Sequence, residues 1–415
     1  MTSSNQTSRH APGLAFIFVT LLIDVLGVGL LIPILPKFVA TLSGHGLSAG
    51  ARDYGLLLGL YGLMQFAFAP LLGALSDRYG RRPVLLFALG FTGLEYVIQA
   101  LAPTLAWLYA GRILAGITGA SFTTASAYIA DVSPPDKRAQ NFGLIGAAFG
   151  VGFIAGPALG GLLGAYGPRV PFWAAAGLSG VNLFYGLLVL PESLKPENRH
   201  AFNWRDANPV GILHVLGRYP VVCGMAWSLA ASNLAAQALQ STWVLMMTAR
   251  FGWGPRENGL SLAAVGVVAL VFQVGLARVL LPKMGERRTV VIGLAVAAAE
   301  YFGYTVASQP WMVYAIMAAG GLSYLSGQAT QALLSREVGD DAQGTLQGAL
   351  TSLASLSGIA GPVAATALFS YFTRPHAAVQ IPGIAFFAAS ALDIIAVLIA
   401  VRILPRSDKN NPAGT

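Results

Sequence analysis

Twelve long apolar segments restrict what this chain can fold into more than any other feature of its sequence. A helix needs about 20 apolar residues to cross the roughly 30 Å hydrocarbon layer of a bilayer, whereas a transmembrane strand needs only about 10. Backbone groups inside lipid must be paired within the protein, and a helix pairs its own. The sequence therefore predicts an all-α polytopic membrane protein. The predicted spans, numbered 1 to 12, lie near residues 14–36, 54–75, 83–102, 105–130, 142–166, 171–190, 219–246, 257–281, 289–307, 311–335, 343–372 and 382–404.

The composition agrees with a membrane protein. Hydrophobic residues make up 55% of the 415 residues and charged residues 10%, and the mean hydropathy is +0.65. Soluble domains carry roughly 25% charged residues, so this chain has too few to cover a surface in water. The 49 glycines fit the same class, because glycine is frequent in transmembrane helices.

The sequence contains no typical motif for a metal site or a nucleotide-binding site. Cys223 is the single cysteine, which excludes a disulfide framework and a cysteine-based metal site. The five histidines are scattered without metal-ligand spacing, and no phosphate-binding loop ending in Gly-Lys-Ser or Gly-Lys-Thr is present. We therefore expect no metal, no cofactor and no enzymatic activity. A membrane receptor or enzyme is the remote alternative.

The N-terminal apolar run is interpreted as a retained helix. Residues 1–12 are polar, and the run Leu14–Leu35 is longer than the roughly 7–15 residues of a signal-peptide core. It also contains Asp24.

The distribution of Lys and Arg predicts that both termini are cytoplasmic. With that orientation 18 of the 25 basic residues lie on the cytoplasmic side, as the positive-inside rule requires. The other side holds Lys37, Arg52, Arg169, Arg250, Arg256 and Arg374, and Arg112 lies inside span 4. An anionic inner leaflet accounts for the net charge of +8, so we expect a lipid bilayer and no nucleic acid as partner.

The chain repeats itself with an offset of 205 residues. Glycine-containing, acidic and aromatic positions recur in one register: Gly80 and Gly285, Glu95 and Glu300, Tyr109 and Tyr314, and Gly156-Pro157 and Gly361-Pro362. An offset of six spans preserves the orientation in the membrane, so the halves are parallel repeats. We predict a bundle over 1–190, a cytoplasmic linker over 191–218, a second bundle over 219–415, and a substrate path between the halves.

Three segments resemble sequence signatures of the major facilitator superfamily. They are Gly73–Pro83 between spans 2 and 3, Gly111–Gly119 in span 4, and Gly146–Gly161 in span 5, the last of which is similar to the antiporter signature. The resemblance implies the major facilitator fold, with 12 transmembrane helices in two pseudo-symmetric six-helix bundles, and points to the 12-helix drug/proton antiporters.

Two further segments resemble tetracycline efflux proteins in particular. They are Leu22–Pro36 and Tyr61–Gln65. The resemblance implies an antibiotic-resistance exporter in a bacterial inner membrane. The chain departs from the family pattern at Ala297, where the family carries an aspartate, and at Ala269, where it carries a histidine.

Ionisable residues inside the spans are the candidates for proton coupling. A charged side chain at membrane depth costs at least about 2.5–3.5 kcal/mol, so such residues are functional candidates by default. The residues predicted to couple protons are Asp24, Glu95, Arg112 and Glu300. Arg112 stays protonated, so its role is to bias a neighbouring carboxylate or to lock its helix to span 1. For Asp24 the alternative is a carboxylate satisfied by backbone donors, and for the two glutamates a structural pair preserved by the repeat. Asp393 is interpreted as structural.

A charged loop between spans 2 and 3 predicts a cytoplasmic gate. Its residues are Asp77, Arg78, Arg81 and Arg82, and Arg81 is expected to pair with Asp131 at the end of span 4. Such contacts hold one access state and release in another. The alternative is a loop that only follows the positive-inside rule.

Small residues in span 5 predict a tight helix seam. Gly152, Gly156 and Gly160 allow close helix contact, and Pro157 invites a kink. Two roles are open for this seam: it resists leakage between the two halves of the protein, or it serves helix packing alone.

Polar side chains within the spans are candidates to line a substrate cavity, because unpaired amides facing lipid are costly. The alternative is that they join helices. The candidates are Gln65, Asn233, Gln237, Gln240, Trp243, Gln273, Tyr324, Gln328 and Gln331.

The sequence as a whole predicts secondary active export. A proton gradient is expected to be the energy source. The expected substrate is an amphipathic drug-like compound, with tetracycline-like compounds as the particular case that the resemblance implies. The protein is expected to work by alternating access as a monomer. The alternative within transport is a symporter or facilitator of a sugar or other metabolite.

Overall fold

The computed structural model of the protein describes residues 4–119, 121–134, 137–199, 220–338, 343–377 and 379–404. Every regular element in these ranges is helical, which confirms the all-α prediction. The α-helices are α1 Ser4–Leu31, α2 Leu35–Ser43, α3 Gly46–Tyr79, α4 Arg81–Leu101, α5 Leu105–Thr118, α6 Ser121–Val132, α7 Arg138–Gly164, α8 Val170–Val189, α9 Pro220–Phe251, α10 Pro255–Leu270, α11 Ala277–Met284, α12 Glu286–Val306, α13 Pro310–Gly320, α14 Leu325–Arg336, α15 Gln343–Thr373 and α16 Ile384–Ile403.

Within the described residues, 10 helical segments are long and apolar enough to cross a membrane. Predicted spans 7 and 10 are the two outside this set. Span 7 forms the 32-residue helix α9, whose polar side chains lower its hydropathy. Span 10 is interrupted by a short 3₁₀ segment, Gly321–Tyr324, between α13 and α14. The structure is thus consistent with twelve transmembrane helices.

The 205-residue repeat recurs in the helix boundaries. Helix α4 begins at Arg81 and ends at Leu101, and α12 begins at Glu286 and ends at Val306, so both boundaries are displaced by 205. Each helix follows a glycine with positive φ, Gly80 at 107° and Gly285 at 75°. Other residues rarely adopt this conformation, so the two glycines separate the same pair of helices in each half.

Irregular segments interrupt two of the predicted spans within the described residues. The 3₁₀ segment Gly321–Tyr324 interrupts span 10. Span 8 contains a π-helical segment, Val271–Leu276, which carries Gln273. Irregular turns within helices often accompany functional sites.

The described chain forms two compact units. The first unit comprises Met1–Pro209, Gln240–Val268 and Gly358–Ala385, and the second comprises Val210–Leu239, Ala269–Ser357 and Phe386–Thr415. The predicted division into 1–190 and 219–415 stays a prediction, since most of the predicted linker, residues 200–218, lies outside the described residues.

Glycine contacts hold α1 against α7 in the first unit. A Cβ atom at Gly156 would lie 2.8 Å from the Cα atom of Gly29, and one at Gly160 would overlap the carbonyl oxygen of Leu30. Fully buried side chains of α1, α4 and α6 form an apolar core beside this contact, among them Phe16, Leu85 and Tyr128.

The first unit also joins segments that are distant in sequence. A Cβ at Gly59 of α3 would lie 2.6 Å from the side chain of Val363 in α15, and Ser48 donates a 2.8 Å hydrogen bond to the carbonyl of Ser370. Helix α7 similarly meets α10, where a Cβ at Gly161 would lie 3.0 Å from the Cα of Gly259. These close contacts explain why parts of α10 and α15 group with the N-terminal helices.

The second unit has its own apolar core. Buried residues of α9, α12, α14, α15 and α16 pack together there, for example Met225, Leu294 and Leu334. Ser228 of α9 donates a hydrogen bond of 2.9 Å to the carbonyl of Ala396 in α16, and Ser390 donates one of 2.8 Å to the carbonyl of Ala298 in α12. These side chain to backbone bonds join helices within the apolar region.

Candidate functional site

A buried ion pair joins α4 and α5 in the first unit. The Arg112 Nη2 atom lies 3.4 Å from Glu95 Oε1 and donates a 3.0 Å hydrogen bond to Gln99 Oε1. Exposed fractions are 8% for Arg112, 2% for Glu95 and 0% for Gln99. The carboxylate next to Arg112 is therefore Glu95, which lies one helical turn before Gln99 on the same face of α4.

Tyrosines extend this cluster towards α1. The guanidinium of Arg112 lies 5.9 Å from the ring centre of Tyr61, and a Cβ at Gly27 would lie 2.8 Å from the hydroxyl of Tyr96. Asp24, one turn before Gly27 and partly buried, interacts electrostatically with both tyrosines. Three of the four residues predicted to couple protons thus lie in one polar cluster of the first unit.

Glu300 lies in the second unit and has a different environment. It is 8% exposed, accepts a 2.8 Å hydrogen bond from the Tyr304 hydroxyl, and accepts a 3.2 Å hydrogen bond from the Ser323 hydroxyl. Gly320 makes room for it, because a Cβ there would overlap the carboxyl group. The position that corresponds to Arg112 in the repeat is Met317, so Glu300 has neutral hydrogen-bond donors where Glu95 has a cation.

Arg81 is the centre of a charged cluster at the junction of α3 and α4. Its guanidinium forms ion pairs with Asp77 and with Asp131, the latter at 3.1 Å, and donates a 2.6 Å hydrogen bond to the Ser76 hydroxyl. Arg82 donates a 2.9 Å hydrogen bond to the Leu187 carbonyl at the end of α8. The predicted contact between Arg81 and Asp131 is present.

Glu192 belongs to the same cluster and was absent from the sequence prediction. Its Oε1 atom accepts a 2.9 Å hydrogen bond from the backbone amide of Arg81, and its Oε2 atom accepts one of 3.2 Å from that of Arg82. A carboxylate at a helix N-terminus stabilises the unpaired amides and the positive end of the dipole. Glu192 is separated from α4 by about a hundred residues, so no local spacing predicts the contact.

Arg78 lies beside the cluster rather than within it. Its guanidinium lies 5.1 Å from the ring centre of Tyr79. The repeat carries the reversed form of the ion pair in the second unit, where Arg336 Nη2 lies 2.9 Å from Glu286 Oε1. Positions 286 and 336 are those of Arg81 and Asp131 displaced by 205, so the two charges have exchanged places.

The predicted seam residues form the contact between α1 and α7. Gly152 packs on Val25, Gly156 on Gly29 and Gly160 on Leu30. Pro157 lies inside α7, and its ring meets Gly29 while its carbonyl faces Gly259 of α10.

The candidate cavity residues are distributed over both units. In the first unit Gln65 donates a 3.3 Å hydrogen bond to the Gly119 carbonyl, and Trp243, fully buried, donates a 2.9 Å hydrogen bond to the Ser261 hydroxyl. In the second unit Gln331 donates a 3.3 Å hydrogen bond to Gln347 Oε1. Asn233, Gln237 and Tyr324 are partly buried, whereas Gln240, Gln273 and Gln328 are exposed. Trp243 has no exposed surface in this conformation.

Several partners were found only in the structure. Gln99 and Tyr304 lie four residues after Glu95 and Glu300, and this spacing is the signal that marks them as neighbours on the same helix face. Ser323 comes from another helix, so its contact with Glu300 depends on packing.

Long apolar helices with an ion pair buried between two of them define an integral membrane protein. The family model described as Major Facilitator Superfamily matches residues 17–362 and 227–415, and the chain belongs to that superfamily. This confirms the resemblance seen in the sequence, and the protein is an integral membrane transporter of a small molecule.

Several curated relatives are named as bacterial tetracycline resistance proteins. The chain is 43% identical to the tetracycline resistance protein, class C, of Escherichia coli over 85% of this chain and 88% of that protein. It is 41% identical to the class G protein of Vibrio anguillarum over 84% and 88% of the two chains.

Solved structures confirm the fold. The nucleoside transporter NupG matches with a TM-score of 0.75 at 11% identity, over 94% of this chain and 98% of that one. A bacterial homolog of the human lysosomal transporter Spinster, in an inward-facing and unoccupied conformation, matches with a TM-score of 0.75 at 16% identity, over 97% and 96%.

Proposed function

We propose that this protein exports tetracycline-like amphipathic compounds in exchange for protons, by alternating access. The observation that carries the proposal is the polar cluster of Asp24, Glu95 and Arg112 inside membrane-spanning helices, in a chain 43% identical to a tetracycline resistance protein. Buried charge at membrane depth is costly, so its presence favours a role in transport. The likeness to tetracycline resistance proteins supports drug export, and the buried charges support proton coupling.

The two buried glutamates are assigned different roles. Arg112 beside Glu95 stabilises the ionised carboxylate, so we assign to this pair the positioning of Asp24 and the two tyrosines around it. Glu300 and Asp24 are the residues that take up and release the proton. For Glu300 the support is its set of neutral partners, Tyr304 and Ser323, which accommodate a protonated carboxyl group as well as an ionised one.

The Arg81 cluster is assigned to the cytoplasmic side. The excess of Lys and Arg at that end of the helices supports this orientation, with both termini in the cytoplasm of a bacterial cell and the protein in its inner membrane. Asp77, Arg81, Asp131 and Glu192 then act together as the cytoplasmic gate, joining α3, α4, α6 and the segment after α8. The proposed unit is a monomer.

Proteoliposomes with an imposed proton gradient test the mechanism. We expect tetracycline uptake into these proteoliposomes that depends on the proton gradient in the wild-type protein and is lost in Asp24→Asn. Glu337→Gln, which removes an exposed carboxylate outside the cluster, is the matched control and retains the activity. Tetracycline movement that ignores the gradient and survives Asp24→Asn would contradict proton antiport.

A drug-susceptibility panel in expressing cells tests the substrate. We expect resistance to tetracycline and to related planar polar compounds. Resistance to other drug classes with full sensitivity to tetracycline would contradict a tetracycline-like substrate.

A further inference from the structure

A basic cavity lies at the end of α3 and α15 opposite the Arg81 cluster. Its volume is about 420 Å³, and it is open to the outside of the protein. Its polar lining consists of His45, Ser48 and Arg52 from the start of α3, and Ser370, Tyr371 and Arg374 from the end of α15. We propose that this cavity binds an anion through a phosphate group, held by Arg52 and Arg374.

Neither guanidinium is neutralised within the described part of the chain. The ion pairs found there involve Arg81, Arg112 and Arg336, and neither Arg52 nor Arg374 forms one. Asp53, the carboxylate next to Arg52 in sequence, forms no ion pair with either arginine in the described residues and does not line the cavity. The positive charge of the cavity is therefore available to a ligand.

Both arginines line the same open cavity. Arg374 stacks on Tyr371, with the guanidinium 4.1 Å from the ring centre. The Ser48 hydroxyl donates a 2.8 Å hydrogen bond to the Ser370 carbonyl and accepts one of 3.2 Å from Thr373, so α3 and α15 are tied together beneath the cavity. Serine hydroxyls and two guanidinium groups are donors that match the oxygens of a phosphate.

The start of α3 adds to this positive character. His45 precedes the first residue of the 34-residue helix and lies between Gly44 and Gly46, which have φ of 70° and 78°. Within the described residues the side chain of His45 forms no capping hydrogen bond, so the first amides of the helix and the positive end of its dipole are open to an anion. The sequence places only six of the 25 basic residues at this end of the helices. Two of these six, Arg52 and Arg374, line the same cavity.

Two sources supply such a phosphate, a free anion or the headgroup of an anionic phospholipid. Purified full-length protein in a maltoside detergent separates them. Inorganic phosphate is titrated at constant ionic strength against chloride, and short-chain phosphatidylglycerol is added in parallel, while the thermal unfolding temperature is recorded. The variants are Arg52→Gln/Arg374→Gln, the charge-preserving Arg52→Lys/Arg374→Lys, and Arg256→Gln, an exposed arginine outside the cavity, as the control.

We expect one of the two ligands to raise the unfolding temperature of the wild type and of Arg256→Gln. The apparent affinity should fall by about tenfold or more in Arg52→Gln/Arg374→Gln, since each lost charged hydrogen bond accounts for that much. The lysine variant should retain an intermediate affinity. A response to phosphate identifies a free anion, and a response to phosphatidylglycerol alone identifies a lipid headgroup. Stabilisation by neither ligand, or to the same extent in the glutamine variant, overturns the proposal. If the double variant fails to fold, the single variants Arg52→Gln and Arg374→Gln replace it.

Discussion

At the scale of single residues, the two halves treat the same buried glutamate differently. Glu95 is paired with Arg112, whereas Glu300, displaced by 205 residues, is bonded to two hydroxyl groups. A carboxylate paired with a guanidinium depends on that partner for its stability, because a buried charge without a counter-charge is unfavourable. Both halves of the repeat therefore carry the glutamate, but its hydrogen-bonding and charged partners differ between them.

Removing the cation from the buried pair should be more harmful than removing both charges. Arg112→Gln leaves Glu95 buried without its partner, which costs about 3–5 kcal/mol, whereas Glu95→Gln/Arg112→Gln removes both charges and should recover most of this loss. Thermal unfolding of the purified protein in detergent measures the difference, with Arg138→Gln, an exposed arginine, as the control. An Arg112→Gln protein that unfolds at the wild-type temperature would show that the pair adds no stability.

At the scale of helices, glycine allows α1 and α7 to approach closely, and at one of their contacts glycine lies on both sides. Helices α1 and α7 meet at Gly29 and Gly156, and the separation leaves no space for a side chain. Helix α7 also carries Gly146, where an added Cβ atom would have no neighbouring atom within 4 Å. The sequence singled out Gly152, Gly156 and Gly160 in α7, and the structure shows that the helix they contact is α1.

A pair of alanine substitutions in α7 tests this distinction. Gly156→Ala should destabilise the protein by about 1–3 kcal/mol, because the added methyl group overlaps the backbone of Gly29. Gly146→Ala should leave stability unchanged or slightly raised, since alanine favours a helix more than glycine does. Thermal unfolding and transport are measured for both. Equal loss in the two variants would mean that α7 needs flexibility rather than close packing.

At the scale of the whole molecule, alternating access requires that contacts at one end of the helices open. In the first unit α3 and α15 are joined near Ser48 and Thr373, whose hydroxyl oxygens lie 3.2 Å apart. These residues come from opposite halves of the sequence repeat. Transport by the proposed mechanism needs this contact to separate in every cycle.

A reversible cross-link at this contact tests the requirement. Ser48→Cys/Thr373→Cys in a Cys223→Ser background brings two sulfur atoms within reach of a disulfide, which spans about 3.5–4.5 Å between Cβ atoms. Oxidation should stop tetracycline transport in proteoliposomes, and reduction should restore it. The two single-cysteine variants are the controls. Wild-type transport by the fully cross-linked protein would contradict alternation at this end.

The sequence by itself determined the membrane class, the family and the repeat. Span length and hydropathy are local properties, and the glycines at 80 and 285 mark the same helix boundary because their backbone conformation excludes most other residues. The contact of Arg81 with Asp131 was also predicted, since both flank spans that end on the same side.

Only the tertiary structure decided which partners the charged residues have. Glu192 accepts hydrogen bonds from the α4 amides, Ser323 donates one to Glu300, and Arg52 and Arg374 line the same cavity. In each case the segments that come together are separate in sequence. Their contacts follow from how the helices pack, and no spacing along one helix encodes them. The sequence thus identified the charged residues that lie inside the membrane-spanning helices. The packing of the helices determines which groups pair with these residues and stabilise them.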